Sequence, residues 1–190
     1  MLEINVKSGK KEAYDYNKDE FVSFVLDHDY KLMLEHSLVS ISKWESKWHK
    51  PFLTNNNKTD DEILDYIRCM IINPNIPDDA IYFLTNDDIK KINSYIEDPM
   101  TATTFHTYKN PDKPGGAGRK QETMTSEIIY YWMIENGIPP EFQKWHLNRL
   151  LTLIKVCNIK NNSENKMSKK DALAQHKSLN QARRSAHGVK

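Results

Sequence analysis

Near residue 36 the hydrophobic period of this 190-residue chain changes from two to about 3.6, which limits the folds open to it more than any other feature. Before the switch, Leu2, Ile4 and Val6 alternate with polar residues and Ser8-Gly9 supplies a turn. Phe21 to Leu26 is a short apolar run, Asp27-His28-Asp29 punctuates, and Tyr30, Leu32 and Leu34 alternate again. Alternation suits half-buried strands, so residues 1–35 are expected to form a small antiparallel sheet.

After the switch the chain reads as a series of capped helices. Leu38, Ile41, Trp44, Glu45 and Trp48 trace one helical face, with Ser42-x-x-Glu45 as a capping box if that helix starts late, and Pro51 ends it. Thr59-x-x-Glu62 is a second capping box, followed by Ile63, Ile67, Met70 and Ile71, and Asn73-Pro74 stops the run. Thr85-Asn86-Asp87-Asp88 opens a third helix whose buried stripe reads Ile89, Ile92 and Ile96. Ser126-Glu127 opens a fourth, burying Ile128, Tyr131, Trp132 and Met133, with Asn136-Gly137 at its C-terminus. Pro139-Pro140-Glu141 then starts the longest stripe: Phe142, Trp145, His146, Leu150, Leu153, Ile154 and Cys157. The short link between these two makes 126–136 and 140–158 an expected antiparallel hairpin at the centre of the core.

Two stretches stand apart. Asn110–Arg119 holds two prolines and three glycines, and reads as a surface loop; it lacks the Lys-hydroxyl pair of a phosphate loop. From Lys160 to Lys190 there are eight Lys/Arg against two acids, whereas the first 159 residues carry 19 against 24. An acidic body thus ends in a basic tail, whose thin stripe (Leu173, His176, Leu179, Ala182) predicts a segment partly disordered, or helical once docked. The fold expected is α+β: a small N-terminal antiparallel sheet (1–35), a mainly α-helical part (36–159) completing a single domain over 1–159, and a basic C-terminal tail (160–190).

Candidate chemistry is sparse. His36, His49, His106 and His146 show no HExxH, HxH or His-Asp pattern, and no GxSxG or kinase-type catalytic loop is present. Cys69 and Cys157 lie in apolar helical patterns without a CxxC, where free cysteine behaves as a small hydrophobe. Any active site would have to be assembled in three dimensions alone, so neither catalytic residues, metal nor cofactor is expected. No apolar run approaches the about 20 residues of a membrane helix, and Met1–Lys11 lacks the apolar core of a signal peptide, so no membrane role is expected.

Two features point to partners instead. Trp44 and Trp48, four residues apart, form either a core ridge or a binding hot spot, since tryptophan concentrates binding energy in a partner's pocket. In the tail, Lys169, Lys170, Arg183 and Arg184 head a basic group suited to phosphate or to an acidic protein surface, or to solubility alone. It contains no interleaved aromatics to stack on bases, so nucleic acid is not the expected partner.

Four segments resemble a family of proteins from tailed bacteriophages: LEHSLVSISKWESKWHKPFL (34–53), DYIRCMI (65–71), YIEDPMTATTF (95–105) and EIIYYWMIENGIPPEFQKWHLNRLLTLIKVCNIKN (127–161). The residues around Lys166–Lys170 and LNQARR (179–184) resemble that family's tail. The family is similar to tail assembly chaperones, which coat the long helical tape measure protein, keep it soluble and help tail tube subunits polymerise around it. The resemblance implies a non-enzymatic protein of the host cytoplasm whose partners are the tape measure protein, the tail tube protein and further copies of itself. It brings no catalytic residues. A structural tail or head–tail completion protein is the alternative, and a nucleic-acid-binding protein using the basic tail the third reading.

Overall fold

The computed structural model describes residues 1–15, 19–54, 57–105 and 123–164, together with Lys177. Its first element is a ribbon of nested strands. β1 (Leu2–Val6) runs antiparallel to β4 (Tyr30–Leu34), with Ile4 opposite Leu32. Inside that pair, β2 (Gly9–Asp15) runs antiparallel to β3 (Glu20–Leu26). The expected single sheet is therefore two ladders of two strands each. They are separated because two residues, Lys7 and Ser8, oppose three, Asp27 to Asp29, so the register cannot run through. Asp29 bridges the gap by accepting from the Ser8 amide (2.7 Å) and hydroxyl (2.9 Å). Ile4, Val6, Leu32 and Leu34 turn one face of the ribbon into the core.

Helices follow, as the period requires, and the chain is α+β. α1 (Leu38–Trp48) is capped by Ser37, whose hydroxyl accepts from the Ser40 amide; it does not start late, and Ser42 lies inside it. α2 (Asp60–Met70) and α3 (Asn86–Glu97) begin with the capping boxes Thr59/Glu62 and Thr85/Asp88. Between them the backbone rejoins β4: the Ile72 amide donates to Met33 (2.9 Å), and Asn73 takes the Met33 amide on its side chain. A 3₁₀ turn at Asp78–Phe83 buries Ala80, Ile81 and Phe83 under β3, where Tyr82 stacks on Phe24 at 4.0 Å.

α4 (Ser126–Glu135) ends as expected, with Gly137 left-handed (φ 63°) and the Ile138 amide returning to the Met133 carbonyl. The next segment departs from expectation. Pro140–Lys144 is a 3₁₀ turn, Trp145 is extended (ψ 159°), and α5 (Leu147–Glu164) starts only after His146. Tertiary backbone bonds win here: His146 bridges to Ser37, and the Leu147 amide donates to the His36 carbonyl at 2.7 Å. Phe142 and Trp145 consequently leave the stripe that Leu147 and Leu150 carry into the core, and stack on each other at 4.1 Å, half-buried.

The hub of the core is α1, which packs on α2, α4 and the Pro140–Lys144 turn, in place of the expected α4–α5 hairpin. Leu32, Leu34, Leu38, Ile41, Trp44, Met70, Ile92 and Ile129 are closed to solvent around it. The chain divides into two units, Met1–Leu153 and Ile154–Lys190, with the boundary inside α5.

A candidate partner-binding cleft

The α1 face carrying the two tryptophans turns toward α2. Trp44 is fully buried and its indole N–H donates to the Glu62 carbonyl at 2.8 Å. This corrects its candidacy as a partner contact: a ring with no exposed surface is a core ridge. Trp48 is half-buried, its N–H donates to the Asp65 carboxylate at 2.8 Å, and Lys47 lies over its ring. Lys169, Lys170, Arg183 and Arg184 fall outside the described residues, as does the Asn110–Arg119 loop.

Three carboxylates are buried beside these rings, and each is fully engaged. Glu45 accepts from the Phe52 amide and from the Ser126 amide in the first turn of α4, both at 2.7 Å. It thereby places negative charge where the exposed amides of α4 favour it. Glu62 accepts from Lys50 and from the Thr59 amide, which hold its carboxyl below the usual range. Burial pushes Asp65 up, but hydrogen bonds from Lys47 and Trp48 outweigh it and the net shift is downward. Glu62 and Asp65, held ionised by fixed donors, are poor proton carriers; with Glu45 they join elements.

A second polar cluster joins the residues after β4, α2, α3 and His146 just before α5. The His36 Nδ1 and the Tyr66 hydroxyl are 2.5 Å apart, and the His36 and His146 rings pack edge-on at 5.0 Å. The His146 Nε2 donates to the Tyr95 carbonyl at 2.9 Å, since a carbonyl only accepts, and its Nδ1 is buried with no partner among the described residues. The Tyr95 hydroxyl donates to Glu35 at 2.6 Å, and the Met1 ammonium lies 3.0 Å from the same carboxylate. Burial, with a lesser contribution from His146, pushes the His36 pKa down to about 3, so this imidazole is neutral. Among the described residues no group of three His, Cys, Asp or Glu is placed to hold a metal ion.

Apolar surface, by contrast, is available. α2 and α3 are separated by an open cleft of about 650 Å³ with a floor of Phe52, Ile63, Leu64, Tyr66, Ile89 and Ile96. Lys58, Asp60, Asn86 and Asn93 form its polar rim. Ile63 is 42% exposed, and Ile89 and Ile96 are half-buried, so of the expected α3 stripe only Ile92 is core. The sequence carries the signal for this cleft as apolar positions in excess of what one core-facing stripe needs. A second apolar surface is the outer face of α4, with Tyr131 59% and Ile134 78% exposed. The expected burial of Tyr131 fails because α4 is apolar all round; Ile129 and Met133 face the core instead.

Comparison of the chain with protein-family models, with curated proteins and with solved structures returns no match. Among the described residues no helix is long and apolar enough to cross a membrane.

Proposed function

We propose that this protein is a non-enzymatic tail assembly chaperone of a tailed bacteriophage, holding the tape measure protein in the host cytoplasm while the tail tube forms. The α2–α3 cleft carries the reading: an apolar floor on two helices, with polar groups confined to the rim, suits a helical protein segment. It lacks the convergent polar groups a small-molecule site places in its floor, because the Tyr66 hydroxyl there is already engaged with His36. The resemblance of 34–53, 65–71, 95–105 and 127–161 to the phage family supplies the class of partner.

Co-expression with the cognate tape measure protein is expected to raise the latter's soluble yield and to give a complex on size-exclusion chromatography. An insoluble tape measure with no complex refutes the chaperone reading. Proteomics of purified virions separates it from the alternative: a chaperone is absent from intact particles, and a structural tail or completion protein is present.

A further inference from the structure

The cleft also carries information on the charge of its occupant. Its walls are α2 and α3, which contribute Asp60, Ile63 and Leu64 from one side and Ile89, Asn93 and Ile96 from the other. These positions recur at three and four residues, the spacing with which one helix meets a second lying along it. Each wall is 11 or 12 residues long, hence about 17 Å at 1.5 Å per residue, enough to seat about three turns of a docked helix.

The carboxylates of the two walls divide into paired and unpaired. Glu62 is tied to Lys50, Asp65 to Lys47 and Arg68, Asp87 to Lys90 and Asp88 to Lys91. Asp60 and Asp61 at the start of α2, and Glu97 at the end of α3, are exposed and have no ion pair among the described residues. Lys58, on the same rim and drawn over the Phe52 ring at 4.4 Å, offsets one of these three charges and leaves a surplus of two. An apolar trough with surplus negative charge at its borders is thus complementary to one kind of helix.

We propose that the α2–α3 cleft binds the apolar face of an amphipathic helix whose polar flanks carry lysine or arginine. The proposal rests on the chaperone reading for its biological partner, but its chemistry is testable without that partner. The probe is a synthetic peptide of about 18 residues with leucine on one helical face and lysine on the other, long enough to be helical when docked. Two further peptides replace its lysines by glutamate, or its leucines by serine.

With the full-length protein in a fluorescence-anisotropy titration at about 0.05 M salt, the lysine peptide is expected to bind at least about tenfold more tightly than the glutamate peptide. That gap should close toward about 0.5 M salt, where exposed charges are screened, and the serine peptide should not bind. Ile63→Asn and Ile89→Asn, on half-exposed wall positions, should each weaken binding by about tenfold with the thermal melt retained, whereas Ile134→Asn on the outer face of α4 should leave it unchanged. Equal binding of the lysine and glutamate peptides, or binding indifferent to both cleft substitutions, overturns the proposal. So does a dimer that Ile63→Asn dissolves in sedimentation velocity, which assigns the cleft to a second copy.

In the co-expression assay the two failures separate. If the Ile63→Asn/Ile89→Asn protein keeps the tape measure soluble as well as the unaltered protein does, the cleft assignment falls and the chaperone reading stands. If the unaltered protein fails while the peptide still binds in the cleft, the chaperone reading falls and the assignment stands.

Discussion

Single residues in this protein act mainly by satisfying distant backbone. Glu45 is the clearest case, because one carboxylate serves two amides, Phe52 and Ser126, that lie 74 positions apart in sequence. Glu45→Ala removes both acceptors at a buried site and is expected to cost about 2–4 kcal/mol in urea unfolding. Glu45→Gln, which retains one acceptor oxygen, should cost less; equal losses would show that the retained oxygen's hydrogen bond contributes nothing. His36 makes a prediction in pH. Its pKa is about 3 in the folded protein against an ordinary 6.5, so above 6.5 it is neutral in both states and contributes no slope. Below 6.5 the unfolded chain takes up a proton that the folded protein refuses, and stability falls by up to about 1.4 kcal/mol per pH unit. The depressed carboxylates Glu62 and Asp65 add their own loss only at lower pH, near their ordinary 4.5 and 3.8. Urea midpoints between pH 6.5 and 5 should therefore decline, and His36→Gln should flatten the decline whatever it does to stability at pH 7.

Among the elements, those whose start is set by a local cap were legible in the sequence. α2 and α3 start at the capping boxes Thr59/Glu62 and Thr85/Asp88, because local side-chain bonds decide those starts. The break at Trp145–His146 was not legible, since it depends on backbone bonds to Ser37 and His36, more than 100 positions away. The same limit applies to the candidate site. Ile63, Ile89 and Ile96 were visible as apolar helical positions, but which of them face a core and which face a cleft is settled only by where the neighbouring helices stand. The helix break has a measurable consequence. Leu150 is fully buried in α5 and Leu150→Ala should cost about 2–5 kcal/mol through the cavity it leaves. Trp145, half-buried, loses only its stack on Phe142 and the Arg149 guanidinium 3.9 Å above its ring, so Trp145→Ala should cost about 1–2 kcal/mol. An uninterrupted helix from Pro140 would make the two losses similar.

At the scale of the whole molecule, the proposed partner-binding role rests on exposed apolar surface carried by an acidic body. Buried carboxylates join elements, and large apolar side chains are exposed at several places: Phe21 and Val25 on β3, Ile63 in the α2–α3 cleft, Ile72, Tyr82, and Tyr131 and Ile134 on the outside of α4. The nesting of the N-terminal ribbon has a further consequence, for the order of events by which the chain reaches this state. The inner ladder closes between Asp15 and Glu20, five positions apart, whereas the outer one joins Leu2 to Leu34 across 32. A loop already shortened by the inner pairing costs less entropy to close, so the ribbon should zip outward from its tip. In stopped-flow refolding, Val22→Ala in the inner ladder is then expected to slow folding, while Leu32→Ala in the outer one mainly speeds unfolding. The reverse pattern would mean that β1 and β4 meet first on the helical core, and that the tip is the last part of the strand pair to form.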